Sequence, residues 1–454
     1  MDQEGDTTMN SKRRQLHLGL FLFGTGYHPA GWRLPEGKTD GAYDPQFLKE
    51  VAQKLEKAKF DFFFLGDRLA TSADMQHLFP SQMTRLEPFT MLSYLAAATD
   101  KIGLIGTVNT TYAEPYNIAR FTASLDHLSR GRASWNVVTG SDPRAALNFS
   151  REKHWDNAKR YDYAEEFIEI VSGLWDTWED DSLPRDKASG VFADGSKVHA
   201  LDHVGEHFSV AGPLNILRPI QGQLPLITAG TSLRSQMLAA QYSDMVFTGT
   251  NVKEVAVKFY KEVKGRLPEY GREVSDLKVL PGLVPIVGRT EEEARAKYAE
   301  LNELVVTDFD LGPLSDKIGI DLRGYSLEDP LPDLSASEAA LHWADLARGA
   351  NGREDITIKD LFYFFTVTVR GHLLVVGSAQ QVADIIEEWF RDEAADGFNV
   401  CPPYMPGGLD LFLELVVPEL QRRGLFRTEY EGSTFREHLG LSRPRNRYDL
   451  IAKG

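Results

Sequence analysis

The sequence predicts an α/β fold, a (β/α)8 TIM barrel with insertions, and three observations carry that prediction. Short apolar, β-rich runs alternate with longer segments of helical period, the pattern of βα units whose strands lie parallel. Eight such runs can be placed, the number a closed parallel barrel requires. Residues 396–441 spell out one complete repeat: the run GFNV breaks at Cys401-Pro402-Pro403 and Gly407-Gly408, and an amphipathic segment follows, ending at Arg422, Arg423 and Gly424.

In chain order, the first strand is expected at 16–23. A helix follows over 44–59, with Asp44 as N-cap and Pro45 at the first helical position. Strands two, three and four are expected at 60–65, 101–108 and 133–139, and a helix at 161–178. The fifth to eighth strands are expected at 224–229, 244–247, 278–287 and 397–401. Two connections exceed ordinary βα loops. The first, 140–222, holds the helix, a Gly/Asp/Ser-rich excursion over 180–196 and a hairpin near 203–210. The second, 307–377, contains a Pro/Asp/Leu-rich run at 327–337 without clean period and reads as a lid or capping insertion. Residues 1–14 are expected to be a flexible tail and 15–454 a single domain.

The formal net charge of −16 argues against nucleic acid or an anionic membrane as partner, since a polyanion must be met by a basic face. A single cysteine, Cys401, excludes an internal disulfide and a cysteine-based zinc site. No run of 18 apolar residues exists and residues 1–14 are polar, so a cytoplasmic protein is expected. His199, His203 and His207 are spaced for one helix face, but Val204-Gly205 and a β-like stretch interrupt it, and no metal is expected. There is no Gly-x-Ser-x-Gly elbow and no Walker loop, and Gly24-x-Gly26 lacks the third glycine of a dinucleotide fingerprint.

In such a barrel the chemistry sits at the C-terminal ends of the strands. Three runs end there in polar residues: LGDR at 65–68, GTVN at 106–109 and WNVVT at 135–139, bringing Asp67, Thr107 and Asn136 to one mouth. The fifth strand leads through Gly230 into Thr231 and Ser232 at the start of a helix. Either hydroxyl can cap that helix, and the free N–H groups and helix dipole also suit a phosphate. After the first strand, GTGYHPAGWRLP at 24–35 puts Tyr27, His28, Trp32 and Arg33 at the mouth beside Phe23.

These segments carry a resemblance. The span 396–441, LGDR, GTVNTTYAEPYNIAR, SWNVVTG and GPLNILRPIQGQLPLITAGTS are similar to the nitrilotriacetate, dibenzothiophene sulfone and long-chain alkane monooxygenases of the bacterial luciferase-like superfamily. The resemblance implies a luciferase-like barrel and a two-component monooxygenase. Reduced FMN would come from a separate NAD(P)H-dependent flavin reductase, and oxygen would be the co-substrate. The substrate would be a sulfone, an aminopolycarboxylate or an alkane-like molecule, often with C–S or C–N cleavage.

By the same resemblance Asp67, Thr107, Asn136 and Tyr161 surround the flavin, with Thr231 and Ser232 at its phosphate. The family's histidine, three residues before an Arg-Tyr pair, falls at Asn157 ahead of Arg160-Tyr161, with His154 three residues earlier; both are candidates. His28 is the candidate catalytic residue, and Phe23, Tyr27, Trp32 and Arg33 the candidate substrate pocket. A homodimer or homotetramer is implied. The alternatives are a deazaflavin-dependent oxidoreductase of the same superfamily and a non-catalytic flavin-binding protein.

Overall fold

The computed structural model describes residues 14–76, 80–306, 311–368 and 370–451. Eight parallel strands close a barrel: β1 (His17–Phe21), β2 (Phe62–Leu65), β3 (Gly103–Asn109), β4 (Ala133–Val138), β7 (Leu226–Ala229), β8 (Met245–Thr248), β9 (Lys278–Gly288) and β11 (Gly397–Val400). Each pairs with the next in that order, and β11 closes the ring on β1, with His17 opposite Gly397 and Leu20 opposite Val400. All eight expected strands are present. Their residues are apolar on both faces because a barrel strand is covered by side chains inside and helices outside. Gly19 shows how tightly the interior fills: a Cβ there would lie 1.9 Å from the Phe62 ring, so the glycine makes room for that phenyl group.

β5 (His203–Val204) and β6 (Ser209–Val210) form the expected hairpin, His203 opposite Val210. A strand the sequence reading missed is β10 (Leu373–Ser378), inside the second insertion. It pairs in parallel with residues 283–288 of β9, beyond the point where β8 has finished pairing with residues 278–281. The eleven-residue β9 therefore serves two partners in series.

The helices are α1 (Pro45–Lys57), α2 (Pro80–Met83), α3 (Pro88–Ala96), α4 (Pro115–Leu128), α5 (Ala145–Asn148), α6 (Asn157–Trp175), α7 (Leu233–Tyr242), α8 (Lys253–Gly265) and α9 (Glu291–Glu303). Asp44 caps α1 as expected, accepting from the N–H groups of Gln46 and Phe47 at 3.0 and 3.1 Å, with Pro45 following. α6 starts earlier than the sequence suggests because Asp156 caps it through the Lys159 N–H. Arg160 and Tyr161 therefore stand in its first turn.

The second insertion is mostly helical, with α10 (Gly312–Ile318), α11 (Glu338–Asn351) and α12 (Ile358–Thr368), before β10 and α13 (Ala379–Arg391). Leu314, Ile318, Trp343, Phe362 and Phe365 form a core of their own, which also takes in Leu334 from the aperiodic run and Ala30 from the loop after β1. That run has no regular element because it links helices, and its apolar contacts, Leu327, Leu331 and Leu334, are broken by Pro330 and Pro332. Residues 1–13 of the expected tail lie outside the described residues. Arg14 corrects the rest of that expectation: it donates to the Phe390 and Ala395 carbonyls at 2.7 Å and to Asp396 at 3.1 Å.

The N-terminal end of the barrel is sealed. Phe62 inside meets Phe435 edge-on at 6.0 Å, and Leu439 and Leu441 close the floor. Asp61, wholly buried, accepts from the Leu18 N–H at 2.8 Å and Arg427 at 2.5 Å, and pairs with His17 at 2.9 Å. Burial pushes its carboxyl up, but Arg427 and His17 outweigh this and hold it below the usual range. No helix among the described residues is long and apolar enough to cross a membrane.

Candidate active site at the barrel mouth

At the other end the strand termini of β2, β3, β4 and β7 open onto a cavity of about 450 Å³. That lies within the range of pockets that hold cofactors and small ligands, about 300–1,000 Å³. Its wall includes Phe23, Asp67, Arg85, Thr107, Tyr161 and Ser235.

The Thr107 hydroxyl donates to the Leu65 carbonyl at 2.7 Å and accepts from Asn136 Nδ2 at 2.9 Å, tying the ends of β2, β3 and β4 together. With its amide nitrogen spent, Asn136 keeps a buried Oδ1 that has no partner among the described residues. A buried acceptor left unsatisfied costs about 1–3 kcal/mol, so this oxygen is a standing invitation to a donor. Asp67 turns one oxygen to the Arg68 N–H at 2.8 Å. Burial raises its carboxyl above the usual range against the opposing effects of that hydrogen bond and Arg85.

On the β7 side, Gly230 takes φ 129°, a conformation open to glycine, and carries the chain into α7. Ser232 caps α7 by accepting from the Ser235 N–H at 3.3 Å, while Ser235 itself faces the cavity. Thr231 and Ser232 are exposed at this helix start and are not part of the cavity wall. The cap is therefore real, and the exposed first turn of α7 beside the cavity remains open to an anion.

The wall towards β1 is aromatic. Phe21 stacks on Phe64 at 4.7 Å and meets Phe23 edge-on at 4.7 Å; Phe23 meets Tyr27 at 5.0 Å, and Tyr27 lies 5.0 Å from the His372 ring. His372 has room because Gly282 lacks a side chain: a Cβ there would stand 2.7 Å from the imidazole. Burial, then the Arg370 charge, drives His372 down to about 3, so it is neutral at ordinary pH.

Similarity to known proteins follows the same span. The family model described as luciferase-like monooxygenase matches residues 25–396. The chain belongs to the luciferase-like monooxygenases. It is 47% identical over 97% of its length to the N-acetyl-S-(2-succino)cysteine monooxygenase of Bacillus subtilis, covering 100% of that protein. It is 45% identical to nitrilotriacetate monooxygenase component A of Aminobacter aminovorans, over 95% of this chain and 98% of the relative. The crystal structure of a long-chain alkane monooxygenase superposes with a TM-score of 0.79 at 31% identity, covering 94% of this chain and 96% of that one. The relatives are monooxygenases, and this luciferase-like chain is an enzyme of that kind.

Within this luciferase-like monooxygenase the candidate residues fall into two sets. Phe23, Asp67, Thr107 and Tyr161 share the cavity wall, and Asn136 stands behind Thr107. His154 pairs through Nδ1 with the Tyr112 hydroxyl at 2.7 Å, and its buried Nε2 has no partner among the described residues. Asn157, the first residue of α6, is exposed and accepts from Arg160 at 3.1 Å. Arg160 in turn donates to the Gly140 carbonyl.

His28, by contrast, is turned away from the cavity. Its Nδ1 accepts from the Ala30 N–H at 3.2 Å and its Nε2 meets Asn302 Oδ1 of α9 at 3.3 Å. Burial drives it down to about 4, so it is a neutral ring with both nitrogens engaged, bracing the β1 loop on α9. Arg33 reaches the Leu304 carbonyl and Trp32 is 39% exposed; neither lines the cavity. Tyr27 stands behind Phe23 with a buried hydroxyl that finds no partner among the described residues. The reading of the sequence missed Arg85, Ser235, Arg370 and His372. The last two precede β10, and the apolar run Leu373-Leu374-Val375-Val376 was the available signal.

No group of His, Cys, Asp or Glu among the described residues is placed to hold a metal ion. His199 pairs instead with Glu179 at 2.7 Å and His203 with Glu166 at 2.9 Å.

Proposed function

We propose that this enzyme uses reduced FMN, delivered by a separate NAD(P)H-dependent flavin reductase, and oxygen to oxygenate a small organic substrate. A sulfone, an aminopolycarboxylate or an alkane-like molecule fits that reading, with C–S or C–N cleavage as an outcome. The observation that carries it is that one cavity takes Asp67, Thr107 and Tyr161 in its wall, with Ser235 of α7 beside them and the Asn136 Oδ1, without a partner among the described residues, behind Thr107.

The residues fit the flavin. Asn136 and Asp67 would meet its polar ring edge, Tyr161 would pack beside it, and the α7 N–H groups with Ser232, Thr231 and Ser235 would take its phosphate. His154, whose Nε2 has no partner among the described residues, would add a hydrogen bond in preference to Asn157, whose oxygen is engaged by Arg160. The bound flavin supplies activation of oxygen; the chain's part is to bind, orient and keep water away. Phe21 and Phe23 would make the dry wall, backed by Phe64 and Phe247, which pack against Phe21. We place the enzyme in the cytoplasm as a homodimer or homotetramer.

Anaerobic equilibrium binding tests the reading: reduced FMN should bind more tightly than oxidised FMN. An aerobic assay with a generic flavin reductase, over a panel of the three substrate classes, should give oxygenated product. Tight stoichiometric NADH binding without flavin would overturn it.

A further inference from the structure

Among the described residues, Arg85 is a cation of the barrel mouth that no carboxylate answers in an ion pair. It lines the cavity with Gly66, Asp67 and Gln82. Its Nη1 donates to the Gly66 carbonyl at 3.1 Å and its Nη2 to the Gln82 carbonyl at 3.4 Å, and its buried Nε has no partner among the described residues. Burial disfavours its charge, Asp67 favours it, and Arg370 and Arg68 oppose it again. Burial also raises the Asp67 carboxyl above its usual range, so this acid holds its own charge poorly. Asp142, the other acid of the wall, is paired with Arg68 and Arg144, each at 2.9 Å.

A guanidinium stays charged at any ordinary pH, so holding it in a half-enclosed site without a counter-ion is unfavourable unless a guest supplies one. The flavin that fits this cavity changes charge with its oxidation state. Its oxidised ring is neutral, whereas the reduced ring readily loses the N1 proton and spreads a negative charge over N1 and the C2 carbonyl. A cation set near N1 is a general means by which a protein tunes a flavin. Position favours the ring over the phosphate. Arg85 lies against the end of β2, where Gly66 makes room for it: a Cβ there would stand 2.8 Å from the Phe21 ring and 3.4 Å from Arg85 Nη1. Ser235 and the start of α7 follow β7, and β3 and β4 lie between β2 and β7. We propose that Arg85 is the residue by which the cavity distinguishes reduced from oxidised flavin, its guanidinium meeting the negative charge at N1 and the C2 carbonyl. The inference rests on the flavin reading and gives a physical cause for a preference for the reduced form.

The test is anaerobic titration of the full chain with FMN and with riboflavin, each oxidised and reduced. Unaltered protein should bind reduced FMN more tightly than oxidised FMN. Arg85→Gln should weaken both reduced flavins at least about tenfold and leave both oxidised flavins within about twofold. A tenfold loss confined to the reduced form lowers the midpoint potential of the bound flavin by about 30 mV, which an independent redox titration reads. Arg85→Lys keeps the charge and should recover part of the preference. Should Arg85→Gln fail to fold, the unaltered protein still decides: nitrogen NMR of reduced flavin labelled at N1 should show that proton lost at a lower pH when bound than when free.

A preference for reduced flavin that survives Arg85→Gln, or an N1 proton held as firmly as in free flavin, overturns this inference and leaves the flavin reading standing. Equal loss for the oxidised and reduced forms overturns it too, because Arg85 would then be a contact indifferent to charge. Loss for FMN with riboflavin unaffected assigns the guanidinium to the phosphate and likewise overturns it. Failure of the unaltered protein to bind flavin in either state removes the flavin reading itself, and this inference with it.

Discussion

The two ends of the barrel differ in how their buried carboxylates and cations are answered. At the N-terminal end each carboxylate is answered by name. Asp61 has Leu18, His17 and Arg427; Asp244 has the Leu226 N–H at 2.9 Å and Arg436 at 3.4 Å; Asp396 has Lys264 at 2.8 Å and the Val279 N–H at 2.9 Å. At the C-terminal end the Asn136 oxygen and the Tyr27 hydroxyl are buried without partners among the described residues, and among those residues Arg85 hydrogen-bonds to carbonyls. Paired carboxylates at one end hold the fold, even though both ring nitrogens of His438 there are buried without partners among the described residues, and the unpartnered groups at the other end face the mouth where this architecture receives a guest. The same residue type, arginine, seals one end at Arg427 and opens the other at Arg85.

The largest break in this comparison is Asp61→Ala. It strands Arg427 in the sealed end and should cost about 3–5 kcal/mol, read as a fall in the denaturation midpoint at unchanged slope. Material that remains folded should bind reduced FMN as before. A loss below about 1 kcal/mol would show that the floor is not held by this pair.

At the open end, Thr231→Ala with Ser232→Ala should weaken reduced-FMN binding by about 1.5–3 kcal/mol for each hydrogen bond lost to the phosphate. Stability should fall only by the loss of the α7 cap, about 1 kcal/mol. Unchanged FMN affinity in the folded double variant would leave these hydroxyls as caps alone.

Acid separates the ends in another way. His28 and His372 near the mouth, held to about 4 and about 3, and His438 in the floor, held to about 4, all lie well below the ordinary 6.5 because burial disfavours their charged form. The unfolded chain therefore binds more protons than the folded one below pH 6.5, and stability falls as pH drops from there towards 4. Each group contributes up to about 1.4 kcal/mol per pH unit. His438→Gln should remove its own share of that slope and leave the shares of His17 in the floor, also lowered by burial, and of the mouth. An unchanged slope would assign all the acid sensitivity to His17, the mouth and the carboxylates.

The smallest effect is the most discriminating. Asn136→Leu removes the unsatisfied oxygen, so stability should hold within about 1 kcal/mol while reduced-FMN affinity falls about tenfold. Stability and binding falling together would make Asn136 a structural strut.

Much of this was legible from the chain. The eight barrel strands could be read because strands buried on both faces are short apolar runs, and the barrel then dictates that residues at their ends share a mouth, which brought Asp67, Thr107 and Asn136 together, while Tyr161 came by the family resemblance. Caps were legible at Asp44, where Asp-Pro is a local signal. What could not be read depends on contacts distant in sequence. Arg85 follows a four-residue helix with no period, so nothing marks it until β2 places Gly66 beside it. His28 sits next to Tyr27 in sequence yet faces α9, some 274 residues along the chain. β10 was hidden because a strand in a segment already assigned to a lid has no expected partner, and only the overlong β9 provides one.

That overlong strand has a mechanical consequence. β10 is riveted to β9 by six register pairs, from Leu373 against Leu283 to Ser378 against Gly288. The helices α10–α12 thus form a cantilever whose clamped end is the barrel wall itself. The free backbone nearest the clamp is Gly371, at φ 79° and abutting the Gly249 carbonyl, with Arg370 one residue outward. Arg370 stands three residues before the first of those pairs, so the pairing of β10 with β9 fixes where its side chain begins.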